Sequence, residues 1–348
     1  MKFARMVLLL ATWLSAAQCV WAADPDDFRS LVERVGDEVR AHHFEKLDQE
    51  ADRLRLDKSR LADGRWKLAI FFGAVAETLP DIIQSPRQRA TFEAGLAEYI
   101  KLHPTSMNAP LILAKVAQAI GWQARGNGLA KTVTEQGWRT FKLSMSTAAA
   151  ILDEQRSRLA QHPQWYCERL SVATYLGEPD PLASEIFNEG MRREPAYLSL
   201  YFTMQMRLSQ RWHGSNRALM AFINDVGVRS PAAVTEGLYT RMVWYGSALF
   251  SRIELDPALD WNAMRKGMDA IVASYPAERN VQKMFFMACG HSDREQAKKL
   301  LPLIREEPLR EVLNVNVPVF RLCMKWAQGT LDAFIMTDPD TDEEHLIH

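Results

Sequence analysis

The sequence predicts an all-α protein, and three observations carry that expectation. Apolar residues recur at helical spacing nearly throughout, sustained strand alternation is missing, and prolines fall in short breaks between the periodic segments. At 348 residues the chain is long enough for a substantial core, and its composition of 47% hydrophobic and 24% charged residues is that of a packed protein rather than a disordered one.

The first stretch reads as an address rather than as fold. Lys2 and Arg5 precede an apolar run from Met6 to Leu14, and Val20-Trp21-Ala22 supplies the small-residue pattern of a secretory cleavage site between Ala22 and Ala23. An uncleaved anchor is the competing reading, but the run is shorter than the ~20 residues needed to span a bilayer. Segments 68–76, 109–114 and 242–250 are also too short and too closely flanked by charge or proline to cross a membrane. The expected organisation is a signal peptide over 1–22, one helical domain over 23–330 and an acidic tail over 331–348. The expected destination is export, to a bacterial periplasm.

The helices can be taken in order. Phe44, Leu47 and Leu54 mark an amphipathic helix, and Ala62-Asp63-Gly64-Arg65 a turn before the next, from about Trp66 to Leu79. Ser85-Pro86 opens another, with proline in its first turn. Stripes follow at Phe92, Leu96, Tyr99 and Ile100; at Phe141, Met145, Ala148 and Leu152; and at Leu219, Phe222, Ile223 and Val226. Later ones run through Trp261, Met264, Met268, Ile271 and Val272, then Ala297, Leu300, Leu301 and Ile304, and then Phe320, Cys323, Met324 and Ala327. Pro163, Pro195, Pro231, Pro276 and Pro308 recur at intervals of 32 to 45 residues, near the ~34-residue period of tetratricopeptide helix pairs. The fold expectation is therefore a tetratricopeptide-like stack of antiparallel helical pairs. An irregular bundle whose prolines merely end helices is the alternative.

Several pieces of this sequence also resemble a known family. They are Leu47-Asp48 through Leu54-Arg55, Asp63-Gly64-Arg65-Trp66-Lys67-Leu68, Trp122 with Ala124-Arg125-Gly126, and Trp138 with Phe141. Further along come Pro163 with Trp165-Tyr166, Glu194-Pro195 with Tyr197, Arg211-Trp212 with Gly214-Ser215, and Tyr275-Pro276 with Asn280, Cys289 and Asp293. In their order, over about residues 44 to 305, they resemble the bacterial domain of unknown function 4034 family. The resemblance implies a tetratricopeptide-like helical fold and carries no activity or catalytic residues with it.

Charge and motifs exclude several chemistries. The formal net charge is -1, and falls to -3 without the leader, which argues against a nucleic-acid binder. Arg125-Gly126-Asn127-Gly128-Leu129-Ala130-Lys131-Thr132 imitates a phosphate loop but has Ala130 and Arg125 where that loop needs glycines. It reads as a turn. Asp338, Asp340 and Asp342 imitate a calcium loop, but Glu343 stands where the sharp turn needs glycine, so the tail reads as solvated and frayed. Gly246-Ser247 lacks the second glycine of a nucleophile elbow. His103, His162, His213 and His291 are scattered through turns, and adjacent His42 and His43 read as surface residues, with His43 near Asp48. No metal or cofactor is expected. Cys167, Cys289 and Cys323 remain beyond the leader, an odd number and so no disulfide framework. Cys289 and Cys323 fall on apolar helical faces and read as buried free thiols, with a bridge between them as the alternative in an oxidising compartment.

The aromatic content is the remaining signal. Of ten tryptophans, Trp122, Trp165 and Trp212 sit beside breaks and near Arg or His. They read either as plugs of helix ends or, with Arg125, Arg211 and His213, as an aromatic and Arg-lined groove for a peptide or glycan. In Arg211-Trp212-His213-Gly214-Ser215, Ser215 is expected to cap the incoming helix. The functional expectation is a non-enzymatic protein-binding or scaffold module whose partner is another envelope protein or peptide. A periplasmic enzyme acting on cell-wall or polysaccharide material is the alternative.

Overall fold

The structure is a computed structural model that describes residues 24–212, 214–230, 237–247, 253, 256–309, 317–337 and 344–348. Ala22 and Ala23, His213, Pro231 and the acidic triplet Asp338, Asp340 and Asp342 lie outside the described residues, as does the whole leader. The chain is all-α: 76% helical, with almost no sheet.

The first five helices are α1 (Asp24–Arg40), α2 (Phe44–Asp57), α3 (Lys67–Ile83), α4 (Pro86–Leu102) and α5 (Asn108–Arg125). They are followed by α6 (Glu135–Glu154), the short α7 (Arg156–Leu159), α8 (Pro163–Leu176), α9 (Asp180–Arg193) and α10 (Leu198–Leu208). Next come α11 (Asn216–Arg229), α12 (Leu238–Gly246), α13 (Trp261–Ser274), α14 (Glu278–Gly290), α15 (Arg294–Leu300) and α16 (Val317–Gln328). Their boundaries follow local chemistry. Ser85, Thr134, Ser215, Asp260 and Asp293 each accept a backbone N–H of the following first turn, and Pro86 and Pro163 stand where a missing N–H costs nothing. The expected cap at Ser215 is thus present, with Ala218 N donating to its hydroxyl at 3.1 Å.

Packing proceeds from neighbour to neighbour. α3 packs on α1 and α5, α5 on α6 and α8, α8 on α9 and α10, and α10 on α11 and α12. α12 then packs on α13, α13 on α14, and α14 on α15 and α16. α5, α8 and α10 run parallel, since they touch at like ends. Asn108 meets His162 and Gln164 meets Tyr197 at their starts, while Trp122 meets Tyr175 and Tyr175 meets Trp212 at their finishes. One continuous cluster of buried side chains extends from Leu31 to Ile347.

The start-side edge is crossed by the loop between α2 and α3. Asp63, Gly64 and Trp66 are buried there. The Asp63 carbonyl accepts Arg241 Nη2 at 3.0 Å and Asn280 Nδ2 at 3.1 Å, and the Trp66 ring stands edge-on to Tyr197 at 5.2 Å. Gly64 has φ +87°, and a Cβ there would lie 2.7 Å from Arg241 Nη2 and 2.9 Å from the Tyr275 ring, so the sharp turn and the close approach both require glycine. The Asp63 carboxylate takes Arg65 Nε at 2.5 Å, with Arg279 Nε at 3.6 Å. This loop is a strap joining the early helices to α12 and α14.

Three expectations are corrected. Cys289 and Cys323 are not free thiols but a disulfide, which ties α14 to α16 between two fully buried positions. An apolar helical face suits a bridge as well as a thiol, so periodicity could not separate them. The C-terminal tail is not frayed throughout: β1 (Phe334–Thr337) pairs antiparallel with β2 (Glu344–Ile347), and Phe334 and Ile347 turn into the core. His43 faces Glu38, at 2.5 Å, rather than Asp48. Asp48 instead accepts Tyr99, Ser106 and Asn108.

Candidate functional site: an aromatic rim at the helix ends

The finishing ends of α5 and α8 and the turn after α10 bring side chains from distant segments together. Trp122 lies in the last turn of α5 and Tyr175 in the last turn of α8. Trp212 closes a 3₁₀ turn, Gln210–Trp212, in which its N–H reaches Ser209 O at 3.0 Å. That turn is tight because Gly214 follows: a Cβ on it would meet Leu208 O at 1.9 Å.

The rings meet at angles that suit their quadrupoles. Trp122 stands edge-on to Tyr175 at 5.3 Å, to Trp212 at 6.2 Å and to Phe141 at 5.1 Å, while Tyr175 tilts over Trp212 at 5.1 Å. The Arg125 guanidinium sits 5.2 Å from the ring centroids of both Trp122 and Trp138, and its Nη1 donates to Gly126 O and Gly128 O. Trp122, Tyr175 and Trp212 are all half-buried, so each residue keeps part of its surface exposed. Beyond Trp212, Phe202 stacks on Tyr245 at 4.6 Å, and the Arg211 charge acts on the Tyr245 hydroxyl.

A buried polar row crosses α5, α8 and the start of α10, away from the rim. The Glu168 carboxylate takes Lys115 Nζ at 2.8 Å, Gln118 Nε2 at 3.0 Å and Gln164 Nε2 at 2.5 Å. Tyr197 donates its hydroxyl to Gln164. Burial, then the Glu168 charge, pushes the Tyr175 hydroxyl up to about 12, and burial drives Tyr197 well above the usual phenol range. Both phenols therefore stay protonated at neutral pH.

Of the six groove candidates, Trp122, Arg125 and Trp212 come together in the rim, and Arg211 stands exposed at its edge. Trp165 does not belong to it. That ring is fully buried, donates Nε1 to Leu152 O at 3.0 Å and lies under Arg156, because it occupies the first turn of α8 whereas the rim gathers at the last. Tyr175 was not singled out in the sequence, Trp138 stood there as a family landmark, and Phe141 as that and as part of an apolar stripe. Their signal was an aromatic near a helix end or start.

His162 is the one buried histidine among the described residues, and both its nitrogens are engaged, Nε2–H donating to Asn108 Oδ1 at 3.0 Å and Nδ1 accepting Gln164 N at 3.1 Å. No cluster of His, Cys, Asp or Glu able to hold a metal ion occurs among the described residues. Among those residues, too, no helix is long and apolar enough to cross a membrane. Neither a protein-family model, a curated protein nor a solved structure matches this chain.

Proposed function

We propose that this chain is an exported tetratricopeptide-like helical scaffold, of the domain of unknown function 4034 type, that holds another envelope protein on its aromatic rim. The observation that carries this reading is the half-buried set Trp122, Tyr175 and Trp212, gathered from the ends of three parallel segments and flanked by Arg125. Trp, Tyr and Arg are the residues that dominate binding energy at protein interfaces. Parallel helices laid side by side offer the extended surface that helical repeats use for partners.

Two further features support export. The apolar leader with its site at Ala22 and Ala23 is one, and the disulfide between Cys289 and Cys323 is the other, since such bridges persist in oxidising compartments. The test is affinity capture from envelope extract with the wild-type chain and with Trp122→Ala and Trp212→Ala. A stoichiometric protein retained by wild type and lost from both variants supports the reading. Equal retention by all three chains overturns it, as does activity on peptidoglycan fragments without a retained protein.

A further inference from the structure

We infer that the segment received by the rim is an acidic peptide. The inference rests on the rim being a binding surface, and it is carried by which charges around the rim are already matched. The carboxylates of the turn from α8 into α9 are matched by arginines. Glu178 is held by Arg169 at 2.6 Å, and Asp180 by Arg207 at 2.7 Å. Glu135, beside Trp138 in sequence, is paired with Arg139. Two cations on the rim have no such match among the described residues. Arg125 spends Nη1 on two loop carbonyls and meets no carboxylate, and exposed Arg211 makes no ion pair.

The result is a local positive excess on a chain whose net charge is negative. It sits beside three half-buried aromatic residues, so a complementary ligand carries carboxylates beside apolar or aromatic groups. Charge complementarity of this kind fixes register and speeds encounter more than it adds affinity, which is why it selects among partners. An acidic stretch containing an aromatic or proline residue meets both demands. A free helix-end carbonyl row would repel it, but Arg125 already covers the carbonyls of Gly126 and Gly128.

The experiment is selection of a random displayed library of 12-residue peptides against the full chain, with Arg211→Gln and the double variant Arg125→Gln/Arg211→Gln in parallel. Arg211 is exposed, so its variant keeps the wild-type melting temperature and isolates the charge effect. The expected result is enrichment of peptides with several Asp or Glu, bound at least tenfold more weakly by the double variant and released as salt rises. Enrichment of neutral or basic peptides that still depend on Trp212 overturns the acidic inference and leaves the rim standing. Peptides insensitive to Trp212→Ala, or no enrichment, overturn the rim itself. Displacement of the acidic peptides by equimolar polygalacturonate oligomers would assign the rim to an anionic glycan instead.

Discussion

Trp122 and Trp212 meet edge to face at 6.2 Å, although one ends α5 and the other closes the turn after α10. Tyr175 wedges between them, so each ring is at once a packing element and a surface. Trp212 packs on both neighbours and keeps part of its surface exposed.

Trp212→Ala should therefore cost stability and binding together, in unequal parts. Full truncation of a buried aromatic costs ~3–5 kcal/mol, and a half-buried ring should cost about 2 kcal/mol. Urea denaturation measures the first effect and partner capture the second. A loss above ~4 kcal/mol would mean that the ring serves packing alone.

His162 gives the protein a pH dependence of definite sign. Burial, with the Arg55 charge as the second cause, pushes its imidazole down from 6.5 to about 3. The unfolded chain takes up a proton near 6.5 while the folded chain does not, so stability is full above 6.5 and is lost as pH falls from there toward 3. One proton is worth about 1.4 kcal/mol per pH unit within that window. Denaturation between pH 7 and 5 should show this slope, and His162→Gln should flatten it by one proton. The lowered carboxylates, such as Glu189 and Asp293, act at more acidic pH.

Reducing the Cys289–Cys323 bridge should lower stability by about 2–4 kcal/mol, as should Cys289→Ala with Cys323→Ala. Thiol labelling of the reduced, folded chain should leave Cys167 unmodified. It is buried, and burial raises its thiol above the usual range, which removes both access and thiolate.

Gly64→Ala should destabilise by roughly 2–4 kcal/mol, combining the cost of a left-handed backbone with overpacking against Arg241 and Tyr275. Calorimetry on the variant measures it. The nearby but solvent-exposed Ala62→Ser should be neutral within ~0.5 kcal/mol.

Much of this architecture was legible from local chemistry. The stripe Phe141, Met145, Ala148 and Leu152 is buried as its spacing requires, and Ser85-Pro86 and Ser215 begin helices because a hydroxyl acceptor and a fixed φ act within one turn. What escaped depends on tertiary placement. Trp165 and Trp122 both adjoin helix ends, but only the direction of the helix decides which one reaches the rim. The pairing of Phe334 with Ile347 spans acidic residues that mask any alternation. Nothing in Asp63-Gly64-Arg65 announces that its carbonyl will find Arg241 and Asn280.

That strap bears on how the chain comes to be folded at all. Helices stacked neighbour on neighbour have low contact order, and an open stack can start anywhere and grow by short steps. The Asp63 carbonyl, however, waits for partners 178 and 217 residues further along, and closing so long a loop is slow even though its entropic cost rises only with the logarithm of length. During synthesis the loop emerges well before Arg241 and Asn280 exist. The Asp63 carbonyl meets its buried partners only once most of the chain is made. Closure of the strap is then a checkpoint on completeness: a chain truncated before α12 keeps its local helices and leaves Asp63 without its seat.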